Sequence, residues 1–406
     1  MLTIEKSFDW ATFAARYWDR RPVHYKAVLD KAVVSAPFAE TEVFRAAVRA
    51  SPPPGAMAQF TVERSQQPDP GDLLPQGDDG SFDGYDARLT ERLDGRRYAL
   101  IINGFHSFDP GLWTRERAFY AGLWEQVGLP LTGAITTLFH GTYEHSPVGV
   151  HKDRFATFMF GLRGRKRMRF WTERPWAEPV STVLDYQPYV PESFAAEVEP
   201  GDLLYWPASY YHVGESAGSG PATSVNVGVP REEHHAGYDL QDVLVGADAA
   251  LMGGRDGARA ARRLPPVDAA LTAPGPDGTG RLAPDLPPAL RDAVPAVPPD
   301  RVGEVSLRRW TACGFEPVPA PAAHRPIRDD TVVRGDARFP VLWDGGGTCA
   351  VNGHTVRTPF SPDDLRTILS PLSSGDPVRV GDLPATEEVR RLLVSLESFR
   401  GITRVE

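Results

Sequence analysis

With 406 residues, 41% of them hydrophobic, and a formal net charge of −9, the chain is long enough for two or three domains with full cores. It is too acidic to be built for coating phosphate backbones, so no nucleic-acid partner is expected, although a basic peptide is compatible with the charge. Cys313 and Cys349 are the only cysteines, which excludes a disulfide framework or a cysteine-rich zinc site, and no run of about 18 apolar residues could cross a bilayer. Residues 1–10 mix charges without an apolar signal core, so the expectation is a soluble cytoplasmic protein with no membrane partner.

In chain order, Trp10, Phe13, Ala14, Tyr17 and Trp18 recur at helical spacing and predict an amphipathic helix over 8–18, after which Pro22 turns the chain extended. A second helix is predicted over 39–49, and most of 51–95 reads as a long surface loop rich in Pro, Gly, Asp and Gln, with a strand at 58–62. Residues 98–102 form a short apolar run typical of a buried strand, and Leu112, Phe119, Leu123 and Val127 mark a helix. Strand candidates then follow at short intervals, at 133–141, 155–162, 165–171, 196–199, 203–206 and 223–229. Short strands separated by Gly and Pro turns, without intervening helices, predict an antiparallel barrel or jelly roll.

Beyond Pro230 the chain becomes rich in Ala, Pro and Arg, with helices expected at 239–252, 258–264 and 301–310 between stiff Pro-rich connections. A small α/β module closes the chain, with strands expected at 339–343 and 353–358 and helices at 362–369 and 387–396. The organisation expected is therefore an N-terminal support over 1–95, a jelly-roll core over 96–231, a helical Pro-rich linker or dimerisation region over 232–328, and a C-terminal module over 329–406.

The chemistry concentrates at Val150-His151-Lys152-Asp153. On a strand, residues i and i+2 share a face, so His151 and Asp153 can hold one metal while Lys152 points away. Two imidazoles and one carboxylate make a facial triad for Fe(II) with three positions left open, and His212, after the turn-strand-corner Gly201-Asp202-Leu203-Leu204-Tyr205-Trp206-Pro207, is the third ligand. His140 and His145 are rivals; His140 would need the strand face opposite Thr137. By itself His-x-Asp recurs by chance in a chain with ten histidines, and its bland reading is a surface pair. The alternation over 165–171 weighs against that: it turns Lys166, Met168 and Phe170 inward, where a buried ammonium demands an anion, the bland alternative being a lysine that snorkels out at the barrel rim. Gly164 is read as the turn of a hairpin returning Lys166 beside the His-x-Asp strand.

His151-Lys152-Asp153, Lys166 fifteen residues after that first histidine, and Gly201-Asp202-x-x-Tyr205-x-Pro207 leading to His212 together resemble the JmjC or cupin-type Fe(II)/2-oxoglutarate oxygenases. Among these the chain is most similar to the ribosomal oxygenases, also through Phe13-x-x-x-Tyr17-Trp18-x-Arg20-Arg21-Pro22 and, loosely, through a linker like their dimerisation helices and a winged-helix-like end. The resemblance implies a double-stranded β-helix core, Fe(II) on His151, Asp153 and His212, and 2-oxoglutarate chelating that metal with its distal carboxylate on Lys166. It further implies co-substrate contacts from Thr137, Asn226 and Thr157, O2 as oxidant, succinate and CO2 as products, and a homodimer. Phe139 departs from it, standing where some relatives carry a tyrosine hydroxyl. The apolar wall expected around the oxidising centre is Met159 or Phe158 with Met168 and Phe170.

The reaction expected is hydroxylation of a C–H bond on a protein or peptide side chain. Oxidation of a free amino acid or natural product and N-methyl demethylation are enzymatic alternatives that use the same centre. A non-catalytic cupin-like binding module is the alternative of another class, and a zinc hydrolase lacks its His-Glu-x-x-His or spaced cysteines.

Overall fold

Among the described residues, thirteen strands of the first unit build two sheets that face each other across an apolar interior. The computed structural model describes residues 2–29, 37–51, 58–130, 133–143, 147–218, 220–231 and 299–405. It divides into one unit of residues 1–126 and 134–231 and another of 127–133 and 232–406.

In the first unit the strands are β1 Thr3–Glu5, β2 Val23–Tyr25, β3 Ala58–Val62, β4 Ser65–Gln67, β5 Tyr98–Asn103, β6 Ile135–Gly141, β7 His151–Lys152, β8 Phe155–Arg163, β9 Lys166–Trp171, β10 Phe194–Val198, β11 Leu203–Trp206, β12 Tyr211–Ser216 and β13 Ala222–Pro230. The larger sheet runs β1-β2-β11-β8-β13-β6-β5-β3-β4 and the smaller β10-β9-β12-β7. From β6 to β13 the chain passes back and forth between the sheets, with only β9 and β10 following each other in the same sheet, in the order of a jelly roll, as the strand spacing predicted. Met159 and Leu204 with Trp206 from the larger sheet meet Met168, Phe170, Ala196 and Val198 from the smaller, closing the interior.

The other face of the larger sheet is covered by helices. The predicted N-terminal and middle helices are α1 Trp10–Arg16, α2 Glu40–Ala50 and α4 Pro110–Val127, with α3 Phe82–Arg92 between them. Phe158 and Tyr205 point to this side, where Phe13 lies 4.7 Å from Tyr205 and Tyr120 lies 5.4 Å from Phe158 between ring centres. Phe158 therefore belongs to the helix-packed core, and Met159 is the one that lines the interior.

Two expectations are corrected. Residues 51–95 are not mostly loop: β3 and β4 pair, and α3 buries Phe82, Tyr85 and Leu89 behind an N-cap from Ser81. Three apolar residues among Asp, Gly and Arg give a weak periodic signal, and α3 is also held by Arg88, which donates to Asp79 and to the Leu74 carbonyl. The turn at Gly164, with φ +66, joins strands of different sheets rather than a hairpin, because β9 pairs β10 and β12 while β8 pairs β11 and β13. A polar turn marks a reversal but carries no information about which sheet receives the next strand.

The second unit holds α5 Pro299–Thr311, α6 Pro362–Ser373 and α7 Glu387–Ser398, with sheets β18-β14-β19 and β15-β16-β17. Their strands are β14 Val332–Gly335, β15 Leu342–Trp343, β16 Thr348–Val351, β17 His354–Arg357, β18 Val378–Arg379 and β19 Ile402–Arg404. Leu365, Ile368, Leu369 and Leu372 pack against Val389, Leu392, Leu393 and Leu396, the face read for the last helix. The strand expected over 339–343 is shorter, since Phe339 closes a turn by donating its N–H to the Asp336 carbonyl. The expected helices at 239–252 and 258–264 lie outside the described residues.

Asp202 of the Gly-Asp turn has a structural task. Buried, it accepts from His24 Nε2 at 2.9 Å, Lys26 Nζ at 2.7 Å and the backbone N–H groups of Ala27 and Glu199, tying β2 to the jelly roll. Burial opposes its charge, but these bonds from His24, Lys26 and the backbone outweigh it and hold its pKa down to about 2. The sign follows: the folded pKa is depressed, so the stabilisation is full above the ordinary carboxylate range and is lost as pH falls through about 2. Asp202→Asn should cost about 3 kcal/mol in a denaturant titration at pH 7, and the gap to the parent should narrow as pH is lowered from about 4 toward 2.

Candidate metal centre and the buried lysine behind it

The triad is assembled by strand register. His212 on β12 pairs directly with His151 on β7, and Asp153 follows His151 by two residues, so all three lie on the interior side. The imidazole centres are 4.5 Å apart, and each Nε2 stands 3.4 Å from a different oxygen of Asp153. One ligand atom from each residue falls within 4.8 Å of the others.

Backbone carbonyls orient both rings. His151 Nδ1 lies 3.0 Å from the Gly149 carbonyl and His212 Nδ1 lies 3.3 Å from that of Tyr210. A carbonyl only accepts, so Nδ1 carries the proton in each ring and Nε2 turns its lone pair to the centre, as a metal ligand requires. Gly149 has φ +75, and a Cβ there would come 2.5 Å from the Val183 carbonyl. Val150 and Val183 exchange both backbone hydrogen bonds, which anchors the two-residue strand β7 at its sheet edge. Behind it, Val150, Trp171, Trp176, Tyr186 and Val213 form an apolar cluster.

The electrostatics of the three groups converge on a cation. Burial opposes charge on Asp153, but the His151 and His212 imidazoles on either side of it outweigh burial and hold the carboxyl well below its usual range. Burial pushes the His212 pKa down; at His151 burial acts the same way and the bond to Asp153 reverses it. This donor set and protonation pattern fit a divalent ion with an open face.

Lys166 points inward as its alternation required and is 5% exposed. Its ammonium donates to Ser224 Oγ at 3.0 Å and sits 4.4 Å from the Phe139 ring centre and 5.6 Å from that of Tyr143. Among the described residues no carboxylate pairs with it, and burial pushes its pKa down to about 7. It is not level with the triad: Phe170 pairs with His212 and Lys166 with Ser216, four residues further along β9, or about 13 Å of strand rise.

Four buried polar atoms have no partner among the described residues: Ser216 Oγ opposite Lys166, the Tyr143 hydroxyl, whose ring lies 5.6 Å from the ammonium, Trp206 Nε1, whose ring lies 5.1 Å from His212, and Asn226 Oδ1 on β13. Buried polar atoms without partners mark a place for a ligand or water. The structure puts Asn226 on the same face of β13 as Ser224, and Thr137 beside it on β6, where Thr137 Oγ1 donates to Asn103 at 3.1 Å. Thr157 is buried opposite Trp206 and Gly228. Ser224, Ser216 and Tyr143 escaped the sequence reading. Ser224 neighbours the quoted Asn226 at strand spacing and had a detectable signal, whereas Tyr143 lies beyond the end of β6 and had none. Tyr143 puts a hydroxyl near the lysine although Phe139 occupies the expected tyrosine position. Of the rival histidines, His140 lies on the rear face with Asp86 and Thr223, and His145 falls outside the described residues.

Residues 130–235 match the JmjC domain family. That segment is similar to JmjC domains. It spans the whole triad, Lys166, Ser224 and Asn226. No curated protein matches the chain. Among solved structures, a crystal structure of the Escherichia coli ribosomal oxygenase YcfD is similar with a TM-score of 0.49 and 15% identity, covering 99% of each chain. YcfD in complex with cobalt and 2-oxoglutarate is similar with a TM-score of 0.45 and 16% identity, covering 98% of this chain and 99% of that one. Among the described residues no helix is long and apolar enough to cross a membrane.

Titration of the His151-Asp153-His212 site with Mn(II) should show one ion per chain. Asp153→Ala should weaken that binding at least about a hundredfold while leaving the thermal transition close to the parent's.

Proposed function

We propose that the chain is a 2-oxoglutarate-dependent oxygenase that uses Fe(II) and hydroxylates a C–H bond on a protein or peptide side chain. The observation that carries this is the pairing of a two-histidine, one-carboxylate centre with a buried ammonium that has no carboxylate partner among the described residues. A dicarboxylate that chelates at one end and carries a charge at the other supplies what both places lack. When bound, Fe(II) and 2-oxoglutarate supply the activation of O2, with succinate and CO2 released.

The residues of the chain do the rest. His151, Asp153 and His212 hold the ion by one face. Lys166, assisted by Ser224, holds the distal carboxylate, and the unpartnered Tyr143 and Ser216 hydroxyls would add hydrogen bonds to it. Asn226 Oδ1, with Thr137 and Thr157 on neighbouring strands, supplies polar contact toward the metal end. Met159, Met168, Phe170, Leu204 and Trp206 wall off water, which confines the oxidant to the substrate bound at the open side. A macromolecular substrate accords with a chain that carries a second unit with its own core. Release of a hydroxylated N-methyl group and oxidation of a free small molecule use the same centre and are separated from this reading by the product.

Anaerobic Fe(II) and 2-oxoglutarate should give a visible charge-transfer band, and admission of oxygen should give succinate; absence of both sinks the oxygenase reading and leaves a binding module. Candidate peptides should gain one oxygen by mass spectrometry, and none with Asp153→Ala.

Burial holds the Lys166 pKa near 7, so above that pH the free site must take up a proton before it can pair with an anion. Calorimetry in buffers of different ionisation enthalpy should detect uptake approaching one proton per 2-oxoglutarate at pH 8.5, with affinity falling toward tenfold per pH unit above about 7.5. Lys166→Met should abolish the proton uptake and leave metal binding intact.

A further inference from the structure

Strands β6 and β13 are neighbours, with Phe139 opposite Ser224 and His140 opposite Thr223. Because successive side chains point to opposite faces, each strand gives one residue to the lysine and the next to the rear of the sheet. On the interior side Ser224 and Phe139 contact the Lys166 ammonium. On the rear, His140 Nε2 lies 2.8 Å from Asp86 Oδ1, and His140 Nδ1 lies 2.9 Å from Thr223 Oγ1. Asp86 only accepts, so Nε2 carries the proton and the Thr223 hydroxyl donates to Nδ1. Tyr98 and Arg163 also donate to Asp86, and Phe82 stacks on the imidazole at 4.6 Å. His140 and Thr223 are both buried, and the Asp86 end of the chain is half-buried.

The other edge of β13 is irregular at this point. Thr223 pairs with Arg163, but Ser224 pairs with Gly161, so Leu162 is skipped in a β-bulge. From Ser224 to Pro230 the ladder to β8 runs unbroken, so it is the Thr223 end of β13, beyond the bulge, whose setting that ladder leaves open. A slip of one residue would turn Ser224 to His140 and bring Thr223 beside the lysine.

We propose that the Asp86-His140-Thr223 chain is a positioning device that pins the register of β13 and so holds Ser224 against Lys166. Its three residues touch neither the triad nor the lysine; they act through the strand. The consequence for co-substrate binding rests on the oxygenase reading above, whereas the consequence for Lys166 itself does not.

The test uses the full chain carrying Thr223→Val, which keeps the shape and removes the donor, Thr223→Ser, which restores it, and His140→Asn, which breaks the same chain from its middle. With only five lysines, ε-13C labelling resolves Lys166, assigned by its loss in Lys166→Met. Thr223→Val and His140→Asn should move the Lys166 signal the same way. In the Mn(II)-loaded protein they should weaken 2-oxoglutarate binding about tenfold while Mn(II) affinity stays within about twofold, and Thr223→Ser should restore both. An unmoved Lys166 signal in folded Thr223→Val and His140→Asn overturns the proposal, as does parallel loss of metal and 2-oxoglutarate affinity that serine does not rescue. If the parent fails to bind 2-oxoglutarate while the signal still moves, the positioning role stands and the oxygenase reading falls.

Discussion

A buried ammonium without a carboxylate is the constraint on which the site depends. Lys166 sits among Ser224, Phe139 and Tyr143 with burial working against its charge. Keeping such a group in an interior otherwise filled by methionine, leucine and aromatic side chains is unfavourable unless an anion arrives, so the cavity is preorganised for a ligand rather than for its own stability. The triad states the complementary demand. Asp153 is held ionised between two imidazoles whose Nδ1 protons are committed to backbone carbonyls, leaving both Nε2 atoms for a metal.

Both demands are enforced from outside the cavity. β7 is only two residues long and lies at a sheet edge, yet His151 is placed by the Val150–Val183 bridge and by a glycine that lets the chain approach the Val183 carbonyl. Asp202 ties the N-terminal strand β2 to the jelly roll. The rear network on Asp86 ties α3 to β6 and β13 behind the lysine. The interior is thus left free to present unpartnered polar atoms, because the hydrogen bonds that fix the strands are made elsewhere.

Much of the strand pattern was readable because the barrel strands are apolar on one or both faces and end at Gly or Pro. The inward turn of Lys166 followed from alternation alone, since a strand's two-residue period is local. The helix α3 was not readable, because its stability comes from three buried side chains and from Arg88 reaching its preceding turn, and such partners leave little periodicity in the sequence. The supposed hairpin at Gly164 failed for a related reason: partner choice between sheets is non-local, and a turn residue does not encode it.

What the sequence determined by itself is the chemistry of the donors and the face each occupies: His151 with Asp153 by their spacing, and Lys166 inward by alternation. The tertiary structure alone decided which residues meet. It set His212 across from His151, put Lys166 four residues deeper than the triad, and delivered Ser224, Ser216 and Tyr143 to the ammonium's surroundings. Faces are fixed by covalent geometry within a strand, whereas levels and partners depend on cross-strand register, which forms only when the two sheets close on each other.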